Sequence, residues 1–407
     1  MQCSTFKKAT MSGRIGDLTV KQQKILNEFR QNLSDVLSAD HDDHYLLRWL
    51  RARKFDLSKS EKMLRDHLTF RKRMNIDKIL EWTPPEVITK YMTGGICGHH
   101  KGGGIIWIEP FGRIDPKGIV RSCSKSDFVK YRTKMCEEIL KDFREQSEKL
   151  GKIVDDVIII IDLDKIEYQH VWKPLVDCYN AAFTMFEPNY PEILKTCFVL
   201  NAPSMMSVGF NLVKPFLSED TTKKVKFLKS NQLYKLLEYI DPDQLPKVYG
   251  GTRTDSDGCP DCKEEICWGG KVPSSYYLNQ EIRDNNNFDE VSVGSKSSHH
   301  IKLDVTQENS IIRWEFHSDE PILFGIYKKN KAGKEKEKEL KVIQTKAKYN
   351  SQEVPESGAI TCIEVGTYVL KFENTNIVQS KKLMYQVDVL TPTDEQTTEI
   401  QSNGAIS

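Results

Sequence analysis

Between Trp82 and Gly251 short β-rich runs alternate with longer stretches of helical period, and no other feature narrows the possible folds as much. Strands separated by helices need crossover connections, so they assemble into a mostly parallel sheet covered on its faces. The strand candidates are residues 105–109, 157–161, 196–200 and 224–228. The intervening helices are 126–150, with Phe128, Tyr131, Met135 and Leu140 at apolar positions, and 170–186.

The flanks of this region read differently. Thr19 and Gln22 stand at capping-box spacing ahead of Ile25, Leu26, Phe29, Leu33 and Val36, which share one helical face. A second helix runs through Tyr45, Leu46, Leu47, Trp49 and Leu50, and a third follows Ser58 and Glu61, carrying Met63, Leu64, His67, Leu68 and Phe70. Beyond the α/β region, residues 254–272 are rich in Gly, Asp and Cys and read as a linker. Residues 301–305, 311–316, 322–327, 368–372 and 382–389 are strand-like runs separated by polar turns, the pattern of an antiparallel sandwich. The alternating Lys/Glu stretch 334–339 is expected to be a solvated loop.

The expected organisation is therefore a flexible N-terminus (1–18), a three-helix lobe (19–75), an α/β domain (82–252), a linker (253–274), an all-β domain (275–390) and a disordered tail (391–407). A chain of 407 residues exceeds what one core organises. With 39% hydrophobic and 29% charged residues the composition is globular, and a formal net charge of +1 provides no field toward nucleic acid. Ten cysteines, several in apolar contexts such as Cys197, are expected to be reduced, which places the chain in the cytoplasm. The longest apolar run, 157–161, is far too short to span a bilayer, and the first residues lack the apolar core of a secretory signal. Any membrane contact is then peripheral and transient.

Local signatures of catalysis are missing. The sequence holds no nucleophile elbow, phosphate loop, dinucleotide glycine pattern or zincin histidine pair, so no enzyme activity, catalytic residue or cofactor is expected. Gly94, Gly95, Gly102, Gly103 and Gly104 suit a hairpin. Asp162 and Asp164 end a predicted parallel strand, where α/β proteins place ligands, but with no third ligand at metal spacing they read as caps of the next turn. Cys259, Cys262 and Cys267 form a C-x-x-C with a third thiol and lack an adjacent fourth ligand; whether they hold a metal stays open, and no metal residue is assigned. The apolar segment from Met205 to Leu217, broken by Pro215, suits a core helix or a gate equally well.

The segments Leu46-Leu-Arg-Trp-Leu-Arg-Ala-Arg-Lys-Phe-Asp56, Tyr190-Pro-Glu192, Asn201-Ala-Pro203, Lys214-Pro-Phe-Leu217 and Tyr249-Gly-Gly251 resemble, in order, the CRAL-TRIO lipid-transfer family. Residues 297–390, with Arg313-Trp-Glu-Phe316 and Gly366-Thr-Tyr-Val-Leu-Lys-Phe372, look like a GOLD domain. Together they resemble the Sec-fourteen-like proteins of the supernatant protein factor type. The resemblance implies an α/β lipid cavity with a helical N-terminal lobe and a movable gate helix, followed by a GOLD jelly-roll-like sandwich. It implies a carrier that binds phosphatidylinositol, tocopherol or a squalene-like lipid, exchanges it with membranes and presents it to enzymes; the alternative is a lipid-sensing trafficking adaptor whose GOLD domain binds a protein partner. By resemblance the headgroup residues fall on Arg53, Glu192, Thr221 and Lys224, and the gate and membrane contact on Met205, Phe210, Leu212, Phe216 and Leu217. One departure stands out: where the family often carries glycine after the Asp162 strand, this chain has Lys165 and Glu167.

Overall fold

A computed structural model describes residues 12–202, 214, 217–278, 288–329, 340–352 and 354–392. Helices α1 (Val20–Asn32), α2 (Asp43–Ala52) and α3 (Leu57–Arg73) form the N-terminal lobe. The Thr19 hydroxyl accepts the Gln22 amide while the Gln22 side chain accepts from the Thr19 N–H, the capping box read in the sequence. The third helix is capped two residues earlier than expected: Asp56, not Ser58, accepts the Lys59 amide at 3.1 Å. A carboxylate in extended backbone reaches the third amide of the helix and also suits its positive end. Leu26, Phe29, Leu33, Leu46, Leu47, Trp49, Leu50 and Leu64 form the lobe's core.

The central sheet runs in the order β1 (Gly95–His99), β2 (Ile105–Glu109), β3 (Val157–Asp162), β4 (Leu194–Leu200), β5 (Val225–Leu228). β1 and β2 make an antiparallel hairpin, and every later pairing is parallel. The glycine-rich stretch is that hairpin. A Cβ on Gly104 would lie 1.8 Å from the Asp156 carbonyl oxygen, so only glycine lets the two backbones approach. Helices α4 (Glu86–Tyr91), α5 (Pro116–Ser122), α6 (Lys125–Leu150), α7 (Lys173–Asn189) and α8 (Glu219–Lys223) complete this domain. α6 opens on a Ser124 cap and ends at Gly151, in left-handed backbone with φ 61°.

The stretch 253–274 is not a loose linker. Cys262, Ile266 and Val272 are buried, and the Gly94 and Cys267 backbones are bridged. Cys262 and Ile266 join Leu236, Ile240, Leu245 and Tyr249 against Ile106, Ile108, Ile158, Ile160, Phe198 and Leu200, sealing one face of the sheet.

The C-terminal region is all β, in two antiparallel sheets that enclose one core. One has the order β10 (Leu340–Tyr349), β9 (Ile322–Lys329), β12 (Gly366–Glu373), β7 (Ser298–Val305). The other runs β11 (Glu356–Cys362), β8 (Ser310–Ser318), β13 (Lys381–Leu390), β6 (Asp289–Val293). Phe316, Phe324 and Phe372 meet between them with ring centroids 4.8 to 5.0 Å apart. Strands β6, β10 and β11 add to those expected; residues 334–339 and 393–407 lie outside the described residues. The sandwich docks through polar contacts on both the lobe and the α/β domain: Arg73 of α3 donates to the Ile343 carbonyl at 3.0 Å, Lys125 to the Lys348 carbonyl at 2.8 Å and Asn350 to Asp177 at 3.2 Å.

Candidate functional site

The unsealed face of the sheet is the notable one. Register aligns Trp107, Ile159, Cys197 and Val225 in one row across the strands, and Glu109, Ile161, Val199 and Phe227 in the next. β3 is bonded on both sides, so its side chains should be covered above and below. Ile158 and Ile160 are, yet Ile159 and Ile161 are only half-buried and Phe227 is 49% exposed. This floor is bordered by Phe111, Leu163, Ile166 and Leu194. Phe111, in the turn after β2, leads into a run of rings on α7: Phe111, Tyr179, Phe183 and Phe186 follow one another at centroid separations of 5.3, 6.4 and 6.3 Å. At the β1–β2 end a cleft of about 760 Å³ opens between Ile96, Trp107, Tyr131, Glu138 and residues 263–269.

Glu109 puts a carboxylate in this otherwise apolar face, and the fold neutralises it. Arg132 of α6 grips it with two bonds of 2.8 and 2.7 Å, while the Trp107 indole (3.0 Å), the Tyr179 hydroxyl (3.1 Å) and Thr93 (3.2 Å) donate to the same group. Every member is buried or nearly so, the condition under which a charge pair survives in a core.

The described residues named from the sequence for a headgroup fall at the end of α2, in the turn before β4, and in and just after α8. Arg53 closes α2, half-buried, its guanidinium donating to the Ala52 carbonyl at 3.0 Å. Glu192 does not pair with Arg53: its carboxylate lies 3.5 Å from Arg51 Nε. Arg51 is one helical turn from Arg48, whose Nε donates to the Pro191 carbonyl at 3.3 Å, so α2 holds the Tyr190-Pro-Glu192 turn with two arginines on one face. Burial pulls the pKa of both guanidinium groups down. That Arg48/Arg51 spacing was readable in the sequence and overlooked. Thr221 in α8 donates to Glu187 of α7 at 2.8 Å, and the Ser218 N–H donates to the same carboxylate oxygen at 3.1 Å, which ties the return of the chain to the cavity wall. Lys224 follows α8 and is half-buried; its carbonyl accepts from Cys197 N–H at 2.9 Å and the Thr196 hydroxyl at 3.0 Å, and its ammonium is in no ion pair among the described residues. Met205, Phe210, Leu212 and Phe216 lie outside the described residues; Leu217 is half-buried.

Backbone strain coincides with the motif segments. Lys54 and Phe55 (φ 52° and 60°), Glu192 (63°) and Asn201 (52°) are all left-handed, conformations that persist only where surroundings impose them. Lys165, in the turn after β3, is also left-handed at φ 70°. Asp162 serves as a tie: it accepts from the Asp164 N–H at 3.0 Å, from Asn201 at 2.8 Å and from the Tyr249 hydroxyl at 3.1 Å.

The three cysteines of the C-x-x-C region do not converge. Cys259 lies with Asp255 and Asp257, and Cys267 donates to the Lys90 carbonyl at 3.3 Å. Cys262 meets Cys97 of β1 and Glu265 instead, all within 4.8 Å of one another. The Cys97 thiol donates to Glu265 at 3.0 Å, Arg253 forks the same carboxylate, and burial pushes both thiols up. Such thiols are inert, and the carboxylate already has its cation.

Among the described residues no helix is long and apolar enough to cross a membrane. Residues 89–251 match the model of the CRAL/TRIO domain, and residues 25–66 that of the CRAL/TRIO N-terminal domain. Protein ctg-1 from Caenorhabditis elegans is 28% identical over 375 residues, spanning 90% of this chain and 96% of that protein. Among solved structures, the crystal structure of Sfh5 is similar over 65% of this chain and 97% of its own, at 16% identity and a TM-score of 0.49. With a helical lobe and a mostly parallel sheet in the matched regions, the chain belongs to the CRAL/TRIO family of lipid-binding and lipid-transfer proteins.

Proposed function

We propose that this chain carries a single long-chain lipid, a phosphatidylinositol, tocopherol or squalene-like molecule, in a closable cavity on the Ile159–Ile161 face of its sheet, and exchanges it with membranes from the cytoplasm. The observation that supports this reading is the half-exposure of two isoleucines on a strand bonded on both sides. Burying one methylene is worth about 0.8 kcal/mol, so an unshielded chain in water costs on the order of ten kcal/mol or more, whereas passage from bilayer to apolar floor costs little. Exchange then needs no energy source, and no bound cofactor other than the lipid.

In this reading the segment from Met205 to Leu217 is the gate that opens against the bilayer, and Arg53, Glu192, Thr221 and Lys224 receive a headgroup. Arg53 and Lys224 supply cations for phosphate, Thr221 a donor, and Glu192 an acceptor for inositol hydroxyls. Arg51, which holds Glu192, is a positioning residue. The sandwich, which looks like a GOLD domain, docks beside the cavity helices α6 and α7. Uptake assays test the assignment: Arg53→Ala with Lys224→Ala should abolish loading of phosphatidylinositol and spare neutral isoprenoids. Equal loss of both classes would refute the headgroup site, and unaltered uptake of both would do the same.

A further inference from the structure

The two loops that cross between the sheets at one end of the sandwich, residues 294–297 after β6 and 374–380 after β12, form a single rigid tip. Asn374 is 2% exposed, and its amide donates to the carbonyls of Val293 at 3.0 Å and Gln379 at 2.8 Å. Its carbonyl oxygen accepts the Asn376 N–H at 2.9 Å; the Asn376 side chain in turn accepts the N–H groups of Val378 at 2.9 Å and Gln379 at 3.3 Å. The neighbouring turn is pinned to it, because the Asn376 carbonyl accepts from Lys296 N–H and the Ser295 hydroxyl, each at 3.0 Å.

What this framework holds out to solvent is apolar. Ile377 is 70% exposed and Val378 78%. A solvated turn needs neither β-branched side chains nor a buried asparagine clamp to fix them outward, so exposure here is imposed by the architecture. The residues around them are Asn, Thr, Gln, Ser and Gly, with exposed Lys296 as the charged member; residues 294–297 and 374–380 contain no carboxylate.

We infer that this tip is a membrane wedge: Ile377 and Val378 enter the interfacial layer of an anionic bilayer while Lys296 meets lipid phosphates. Two side chains are too small an area for a stable protein interface, which takes roughly 800 Å² from each partner. A lipid surface needs only a projecting apolar pair and a cation; the tip loops carry no carboxylate, and the acids next to them are engaged, Glu320 with Lys381, Glu290 with Lys382 and Asp319 with the Lys382 N–H. The inference shares with the proposed function the premise that the chain visits bilayers, but rests on residues remote in sequence from the cavity.

The test is co-sedimentation of the full chain with vesicles of phosphatidylcholine containing phosphatidylserine. Ile377→Ser with Val378→Ser should weaken binding about tenfold or more at unchanged thermal stability, whereas Ile377→Trp with Val378→Trp should hold or strengthen it, since a bilayer accepts any interfacial apolar shape and a protein groove does not. The inference is overturned if the native chain ignores these vesicles, if the serine pair binds as well as native, or if the tryptophan pair abolishes binding. Native mass spectrometry of lipid uptake from detergent, on the same samples, reads the cavity separately: a chain that loads lipid but ignores vesicles removes the wedge alone, and one that binds vesicles through Ile377 and Val378 yet never loads lipid removes the cavity alone.

Discussion

Arg51 Nε lies 3.5 Å from the Glu192 carboxylate, and Arg51 Nη2, buried, has no hydrogen-bond partner. A left-handed Glu192 is thus held by a guanidinium that keeps a donor in reserve. Arg51→Met should lower stability by about 1 kcal/mol, because Glu192 is one quarter exposed and water replaces much of the pair. Uptake of phosphatidylinositol should fall further than uptake of a neutral isoprenoid. Urea unfolding with parallel lipid loading measures both; equal losses for the two lipid classes would assign Arg51 a purely structural role.

The Arg132–Glu109 pair carries a larger penalty. Arg132→Met leaves a buried carboxylate with only neutral donors, and the expected destabilisation is about 3–5 kcal/mol, whereas Arg132→Met with Glu109→Leu should recover most of it. A double-mutant cycle by chemical denaturation decides: additive losses would contradict the coupling.

Glu356 provides the pH dependence. It sits where the sandwich meets the start of α6, accepting the Lys125 N–H at 3.3 Å, and burial outweighs that contact, raising its pKa to about 8. The folded chain therefore holds this proton while the unfolded chain, with an ordinary glutamate near 4.5, has released it. The sign follows: stability is greatest below the unfolded value, falls as pH rises toward about 8 at up to roughly 1.4 kcal/mol per pH unit, and is flat beyond. Melting curves across this window should show the decline in the native chain and a shallower one in Glu356→Gln, with the variant more stable at the alkaline end. An unchanged slope would contradict the assignment.

Lys165 stands at φ 70°. Lys165→Gly should stabilise the chain by about 0.5–1 kcal/mol, relief of left-handed strain exceeding the added freedom of the unfolded chain. Thermal unfolding checks this, and destabilisation would show that the lysine side chain holds the turn.

Local signals in the sequence carried far. The Thr19–Gln22 box, the isoleucine run of β3 and the apolar stripe of α6 announce their elements because caps, β-branching and periodicity act within a few residues. Strands β6 and β10 were illegible because each has an exposed face whose lysines and acids dilute the alternation, as in Leu340-Lys-Val-Ile-Gln-Thr-Lys-Ala-Lys-Tyr349. Residues 253–274 imitate a linker in composition, yet three side chains, Cys262, Ile266 and Val272, suffice to anchor them. At the site, which arginine meets Glu192, and that Glu187 receives Thr221, depend on contacts across elements that periodicity alone does not give.

The central claim is that a lipid occupies the half-open face of the sheet, and native mass spectrometry after incubation with lipid vesicles measures it directly. The native chain should gain the mass of one lipid, and Ile159→Asp with Ile161→Asp, which places charge on the floor at positions that are already half-exposed, should remain folded and empty. A native chain that stays bare, or a folded variant that loads lipid as well as the native chain, would contradict the account.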